Sequence, residues 1–299
     1  MHIPSELCAY SRTLMRTALS GSLVSPKRRQ KRESRRLTMT TGDSQQWIER
    51  WDRMQERYLV ARAERFDRMV RIVRAIQADP KTMLDLGCGT GSVSFRMAEA
   101  FPNYRIVGVD MDFTLLPLAR ARCAGMQDRV SFVETDLRSP SWVEQVPREC
   151  SAVVSATALH WFNPSQLRTL YFELPQVMAP GALLINADHV GSDVGSIQRM
   201  WEDSRDRMRL LSDSRGEDWS GFWREYLAGL GPEVSQRRQE VLGPWQGIES
   251  GLPLWWHLNV LQEAGFEGVD CFWRVDCDAI YGGIKNPDPS EAPEIDKTP

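Results

Sequence analysis

The sequence predicts an α/β fold: a doubly wound, mostly parallel sheet of seven strands, with a helical segment ahead of it and a helical cap inserted after strand five. Three observations predict it. A short apolar run, Thr82–Leu86, passes into a loop with glycine at every second position, Gly87-Cys88-Gly89-Thr90-Gly91, and then into a helical pattern, Ser92–Ala100. Strand, glycine loop and helix in that order open the nucleotide site of doubly wound domains. Further apolar runs alternate with helical patterns, and they are continuous rather than alternating, as strands buried on both faces require. The chain then closes on a helix followed by two strands. Its 299 residues, 42% hydrophobic and 26% charged, suit one large domain or a domain with an insertion.

Glycine suits the loop because it tolerates positive φ and lets backbone N–H groups approach a ligand, while the helix start behind it favours a negative group. The dinucleotide fingerprint places two residues before its last glycine, and this loop places one, which speaks against NAD. Asp85 lies just ahead of the first glycine. An acid, a spacer, then glycines alternating with single residues resembles motif I of the class I S-adenosylmethionine (SAM) methyltransferases. The resemblance implies that Asp85, Gly87, Cys88, Gly89, Thr90 and Gly91 surround the methionine end of SAM.

Residues 1–40 form a basic leader, rich in Ser, Thr and Arg, with the run Lys27-Arg28-Arg29-Gln30-Lys31-Arg32. Three readings stay open for it: a disordered leader ahead of a start at Met39, an organelle transit peptide, or a nucleic-acid-binding arm. In residues 41–79, Trp47, Ile48, Trp51, Met54, Tyr58 and Leu59, then Phe66, Met69, Val70, Val73 and Ile76, recur at three- and four-residue steps. That is amphipathic helix, in two segments or one, with Asp43 or Ser44 as its cap and Asp79-Pro80 as its end. The family resemblance implies that such helices close over SAM, with Tyr58 and Arg62 in the acceptor wall.

The SAM-binding domain is expected over 80–285. Strand two, Arg105–Asp110, ends on an acid about 20 residues past the loop, where a carboxylate accepts from ribose hydroxyls. Capping the next helix is the other reading for such an acid, and Asp112 suits that task; Met111 lies between the two. A helix over 114–123 leads to strand three over 130–137. The resemblance implies that Asp136 takes the adenine amine, a donor that suits a carboxylate, and that the Leu137 N–H meets a ring nitrogen.

Strand four, 151–157, carries Ala156 near its end and runs into Ala158-Leu159-His160-Trp161. Asn163-Pro164 starts a helix through 177, with Pro175 bending its last turn. Ala179-Pro180-Gly181 turns the chain into strand five over 182–187. Ligand binds across the carboxyl ends of such strands, so Thr157, His160 and Trp161, then Asp188 and His189, are the residues to watch. His160 and His189 are the candidate bases; packing beside a strand end is the other reading for each. The stretch after strand four lacks the Asn-Pro-Pro-aromatic and Asp-Pro-Pro-aromatic motifs of base-amine methylases, and lacks the acid cluster of magnesium-dependent catechol-type enzymes. Ala-Leu-His-Trp resembles instead the small-molecule branch that includes trans-aconitate and malonyl-carrier methyltransferases.

Residues 191–252 form the expected cap: helices over 197–211 and 217–230, a turn over 213–216, and a short helix over 236–242. It holds Trp201, Trp219, Phe222, Trp223, Tyr226 and Trp245. These aromatics either pack the cap on the domain or meet an apolar acceptor, with Trp161, Trp219 and Trp223 as the candidate pocket. A helix over 253–264 and strands over 268–275 and 279–285 close the fold. The resemblance implies that the last strand is antiparallel and lies beside strand five. Residues 286–299 are rich in Pro and acid and are expected to be disordered.

A net charge of -3 and a pI near 5.9 give no overall cause to expect nucleic acid or a membrane surface, and no run approaches the ~20 apolar residues of a span. The six cysteines are scattered without a C-x-x-C, which reads as free thiols in a reducing cytoplasm with no metal site. The expectation is therefore a cytoplasmic SAM-dependent methyltransferase acting on a small molecule through an O-, carboxyl- or N-acceptor. RNA or protein methylation, and SAM binding without transfer, are the alternatives.

Overall fold

The computed structural model describes residues 41–59, 61–77, 81–211, 217–244, 246–248 and 251–287. The leader, the Asp79-Pro80 helix end, the 213–216 turn, Trp245 and the tail from 288 fall outside the described residues.

Two helices, α1 (Thr41–Tyr58) and α2 (Arg62–Ile76), lead into β1 (Thr82–Leu86), α3 (Ser92–Ala100), β2 (Arg105–Asp110), α4 (Leu116–Arg122), β3 (Val130–Glu134) and β4 (Cys150–Ala156). There follow α5 (Pro164–Glu173), β5 (Met178–His189), α6 (Gly195–Leu211), α7 (Trp219–Leu230), α8 (Pro232–Leu242), α9 (Leu254–Glu263), β6 (Phe266–Val275) and β7 (Asp278–Lys285). The strand order is β3-β2-β1-β4-β5-β7-β6. β1 to β5 pair in parallel, and β7 runs antiparallel between β5 and β6.

Each continuous apolar run divides between the two faces of the sheet, because side chains alternate along a strand. Leu84, Leu86, Val107, Val109, Val153 and Leu184 pack towards Leu167 and Leu170 of α5 and Val260 and Leu261 of α9. Met83, Ile106, Ala152, Val154, Leu183 and Ile185 pack towards Met69, Val70 and Val73 of α2 and Val93 and Met97 of α3. A third core joins Ile48 and Met54 of α1 and Leu118 of α4 to Phe222, Trp223 and Tyr226 of α7.

Several boundaries differ from the sequence expectation. The entry helix breaks at Ala61, whose φ is 55°. It begins by Thr41, so Asp43 and Ser44 lie in its first turn rather than capping it. α4 starts later than residue 114 because Asp112 Oδ1 accepts from the Thr114 N–H and hydroxyl, holding a turn there. β3 stops at Glu134, leaving Asp136 in a loop beyond the strand. Asn163 and Gln166 form a capping box for α5, and Pro175 ends that helix in a 3-10 turn, Leu174–Gln176, instead of bending it. β5 begins at Met178, with 179–182 as a bulge between the Cys150↔Met178 and Ala152↔Leu183 pairs.

Gly282 permits the β5–β7 contact: a Cβ there would lie 1.8 Å from the Leu184 carbonyl oxygen. Gly282→Ala is expected to cost about 3 kcal/mol or more by forcing these buried strands apart, measured as a lower midpoint in urea with the same m-value.

Candidate active site at the carboxyl edge of the sheet

Gly87, Gly89 and Gly91 have φ of 65°, 52° and 75°, a region that only glycine adopts freely. A Cβ on Gly87 would sit 2.4 Å from the Ala158 Cβ, so the loop after β4 rests directly on the first loop. Thr157, which makes that approach, holds a strained φ of 50°. Asp110 ties the glycine loop to β2: its Oδ2 accepts from the Gly89 N–H at 2.7 Å and its Oδ1 from the Asp112 N–H at 2.8 Å. Burial, then the neighbouring Asp112 charge, push its carboxyl up to about 6. Each carboxylate oxygen has two lone pairs, so one on each remains for a ligand.

Asp85 faces the α3 side, where its Oδ2 accepts from the Ser94 hydroxyl at 2.6 Å. Burial pushes it up to about 7 against that bond. Its observed partner lies beneath the loop, not in the cleft. Cys88 is buried too, its N–H donating to the Val109 carbonyl. The Thr90 carbonyl accepts from Arg122 Nε at 2.9 Å, and Arg122 pairs with Asp52 of α1 at 2.9 Å. Arg62 shares that same Asp52 at 3.2 Å. Two guanidiniums thus meet one carboxylate, and the buried Arg62 Nε has no hydrogen-bond partner. Burial, ahead of the opposing pull of Asp52, lowers the Arg62 pKa.

On the far side of β2, Asp136 accepts from its neighbour Arg138 through N, Nε and Nη2 at 2.9 Å each. Arg138 Nη1 also donates to the Leu242 carbonyl at the end of α8. Leu137 is buried, while Met111 and Ala156 are half-buried. The cap is fastened beside them. Arg238 Nε donates to Asp112 Oδ2 at 2.7 Å, with its guanidinium 3.7 Å from the centre of the Trp223 ring. The Tyr226 hydroxyl donates to the Thr114 carbonyl at 2.6 Å, and Arg50 pairs with Glu217 and Glu225. Trp223 is therefore buried in the core that joins the cap to α1 and α4. The Tyr58 hydroxyl accepts from the Trp219 N–H at 3.2 Å. Trp161 and Trp219 stack with centroids 6.4 Å apart, and Trp161 is 42% exposed.

The exits of β4 and β5 bring His160 and His189 together, ring centroids 5.3 Å apart. His160 Nδ1 is 2.7 Å from Asp188 Oδ1, and its N–H donates to Asp188 Oδ2. The His189 N–H donates to Asp188 as well, while its Nδ1 is 2.7 Å from Asp278 Oδ1. Arg65 of α2, fully buried, places Nη2 2.8 Å from that same Asp278 oxygen. Burial alone would raise Asp278, but His189 and Arg65 hold it at about 2. Burial would raise Asp188 too, and the imidazoles pull it below the usual carboxylate range. Burial lowers His189 against the opposing pull of Asp278. Glycine backbone packs against the main chain of both histidines: a Cβ on Gly247 would lie 2.0 Å from the His160 carbonyl oxygen, and one on Gly251 2.3 Å from that of His189. His189, Cys277 and Asp278 place ligand-type atoms within 4.8 Å of one another, but Arg65 already supplies the cation there.

Arg65, Asp278, Asp52, Arg122, Arg138 and Arg238 went unnoticed in the sequence. One signal was available: Arg65 stands four residues before Met69, on the apolar stripe of its helix, where a charge needs a buried partner.

Residues 83–181 match the family described as Methyltransferase domain. Trans-aconitate 2-methyltransferase of Streptomyces coelicolor is 32% identical over 183 residues, covering 60% of this chain and 54% of that protein. Malonyl-[acyl-carrier protein] O-methyltransferase of Priestia megaterium is 24% identical over 132 residues, covering 44% and 45%. The chain spans about half the length of these curated relatives. The solved structure of PigF with SAH has the same fold, with a TM-score of 0.50 at 17% identity, covering 82% of this chain and 60% of that one. No helix among the described residues is long and apolar enough to cross a membrane.

Removing the Arg238 anchor should loosen the cap without disturbing the sheet. Arg238→Ala is expected to speed amide exchange in 232–242 by about tenfold, the equivalent of about 1.4 kcal/mol, with exchange in β1 and β4 unchanged.

Proposed function

We infer that this chain, which belongs to the class I SAM-dependent methyltransferase family, moves a methyl group from SAM to an oxygen of a small-molecule acceptor by in-line displacement. The observation that carries this reading is the meeting of two features at one sheet edge: the glycine loop held by Asp110, and the imidazole–carboxylate pairs at the exits of β4 and β5.

The residues present suit SAM. The Gly87–Gly91 backbone can approach its methionine end, and Asp110 has the acceptor capacity for two ribose hydroxyls. Asp136 would take the adenine amine, sharing its oxygens with Arg138, and Leu137 would offer its N–H. Arg62 is the surplus cation beside the loop, so we assign it to the methionine carboxylate rather than to the acceptor wall where the sequence placed it. When bound, SAM supplies an electrophilic methyl on a sulfonium; the chain's task is to align the acceptor and exclude water. Trp161 and Trp219 offer an apolar wall, and Gly247 and Gly251 let the chain pack closely on the main chain at His160 and His189. The relatives are named for trans-aconitate and for a malonyl group, both acids with oxygen nucleophiles, which supports an oxygen acceptor here.

Incubation with isotope-labelled SAM and a metabolite extract, with trans-aconitate as a defined probe, tests this reading: mass spectrometry should find label on a small molecule together with S-adenosylhomocysteine. No labelled product and no SAM uptake would overturn it. Asp110→Ala is expected to weaken SAM binding by at least about tenfold, about 1.4 kcal/mol, in calorimetry. The Asp110 carboxyl, raised to about 6, is ionised at neutral pH and protonates as pH falls through that value, losing acceptor capacity. Wild-type affinity for SAM should therefore decline from neutral pH to about pH 5, while that of Asp110→Asn stays level.

A further inference from the structure

We propose that Arg65 is a positioning residue which, through Asp278, fixes the proton of His189 on Nδ1 and leaves Nε2 as the proton acceptor of the site. The argument starts from the inventory of donors. Arg65 is a permanent cation and has no acceptor to offer. Its side chain is fully buried, and Asp278 is the carboxylate it meets, at 2.8 Å. Asp278 is thereby held ionised, so its Oδ1 can only accept. The His189 nitrogen 2.7 Å away must then be the donor. In a neutral imidazole the other nitrogen carries no proton, and that nitrogen is Nε2.

The groups around His189 come from every packed element: Asp188 on its own strand, His160 from the exit of β4, Asp278 of β7, Cys277 in the turn before it, Arg65 of α2 and Arg205 of α6. Arg65 supplies a second effect. Its charge, near Asp278, opposes a second proton on the ring and so keeps the imidazole available as a base, the same direction in which burial acts. His160 has a different surrounding, because its carboxylate, Asp188, meets imidazole and backbone N–H groups in place of a guanidinium. Arg65 thus distinguishes two histidines that look alike in sequence.

The chemistry follows. An acceptor hydroxyl gives its proton to Nε2; the O–H electron pair stays on oxygen, and the neutral ring becomes an imidazolium whose new charge is shared with Asp278. A site so arranged can take acceptors whose reacting oxygen arrives with a proton, in addition to carboxylates, which need no base. This inference rests on the methyl-transfer reading for its function, though not for its structure.

The chain has four histidines, few enough for imidazole nitrogen spectra of the full-length 15N-histidine protein. The wild type should show His189 with Nδ1 protonated and Nε2 bare at neutral pH, with a titration midpoint below the ordinary histidine value of about 6.5. Arg65→Met should raise that midpoint by about one unit, and Arg65→Lys should restore it, because a charge near Asp278 is what acts. Calorimetry on the same samples keeps the two readings apart: Arg65→Met should bind SAM as the wild type does. A wild type that fails to bind SAM sinks the methyltransferase reading and leaves the tautomer result standing. A proton on Nε2 in the wild type, or an unmoved midpoint in Arg65→Met, overturns the proposal; if that variant does not fold, the wild-type tautomer decides alone.

Discussion

Asp110 is the joint on which the ligand edge depends. One carboxylate oxygen holds the Gly89 N–H of the first loop and the other holds the Asp112 N–H of its own exit. Asp112 then passes the connection on, accepting from Thr114 ahead of α4 and from Arg238 of the cap. Loop, helix and cap are all referred to the end of β2 through two acids two residues apart. That closeness has a cost, since both burial and the Asp112 charge act against ionised Asp110. The backbone donors offset it, and a ligand offering further hydroxyl donors would offset more. The edge is therefore built to be most stable when something donates to Asp110.

Strand and helix order was legible because continuous apolar runs and three- and four-residue steps carry it directly, as in Thr82–Leu86 and Met69-Val70-Val73. The antiparallel last strand was legible only through family likeness, since nothing in 279–285 itself says where it pairs. The boundaries that shifted did so where a side chain competed with propensity. Asp112 delays α4, and Asn163 with Gln166 starts α5 on time. At the site, Asp110, His160 and His189 were legible from their places at strand ends. Their partners were not. Asp278 reaches His189 across an antiparallel pair, and Arg65 reaches Asp278 from a helix packed over the sheet. Such contacts join residues far apart in the chain and leave no local periodicity. The packing of Trp223 and Tyr58 was hidden for a related reason: an aromatic near a ligand edge and an aromatic in a cap core follow the same spacing.

A second polar network lies deeper, away from the cleft. His257, Tyr171, Tyr281 and Asn186 meet between α5, α9 and the sheet: His257 Nδ1 is 2.9 Å from the Tyr171 hydroxyl and 3.0 Å from that of Tyr281, to which Asn186 donates at 2.8 Å. Burial lowers His257 to about 4 and pushes the Tyr171 hydroxyl well above the usual phenol range, so the group stays neutral. A cavity of about 10 Å³, near the minimum for one water, separates it from Asp188 and the two cleft histidines. Neutral groups bonded in this way add register to a core without placing a charge in it, in contrast with the ion pairs above.

The division of labour between sheet and cap follows from what each can hold still. The parallel strands are pinned on both faces by aliphatic cores, so groups at their ends keep fixed separations; these are Asp110, His160 and His189. The cap is joined by other means. It has aromatic edges from Trp47 and Trp51 against Phe222, and cationic anchors at Arg50, Arg138 and Arg238 whose partners are acids or carbonyl oxygens on the rim. Of these pairs, Arg50–Glu225 reaches solvent, contributes little and is screened by salt, whereas Arg238–Asp112 is largely shielded from it. Sheet and cap meet where Trp161, in the 3-10 turn after β4, stacks on Trp219 of the cap.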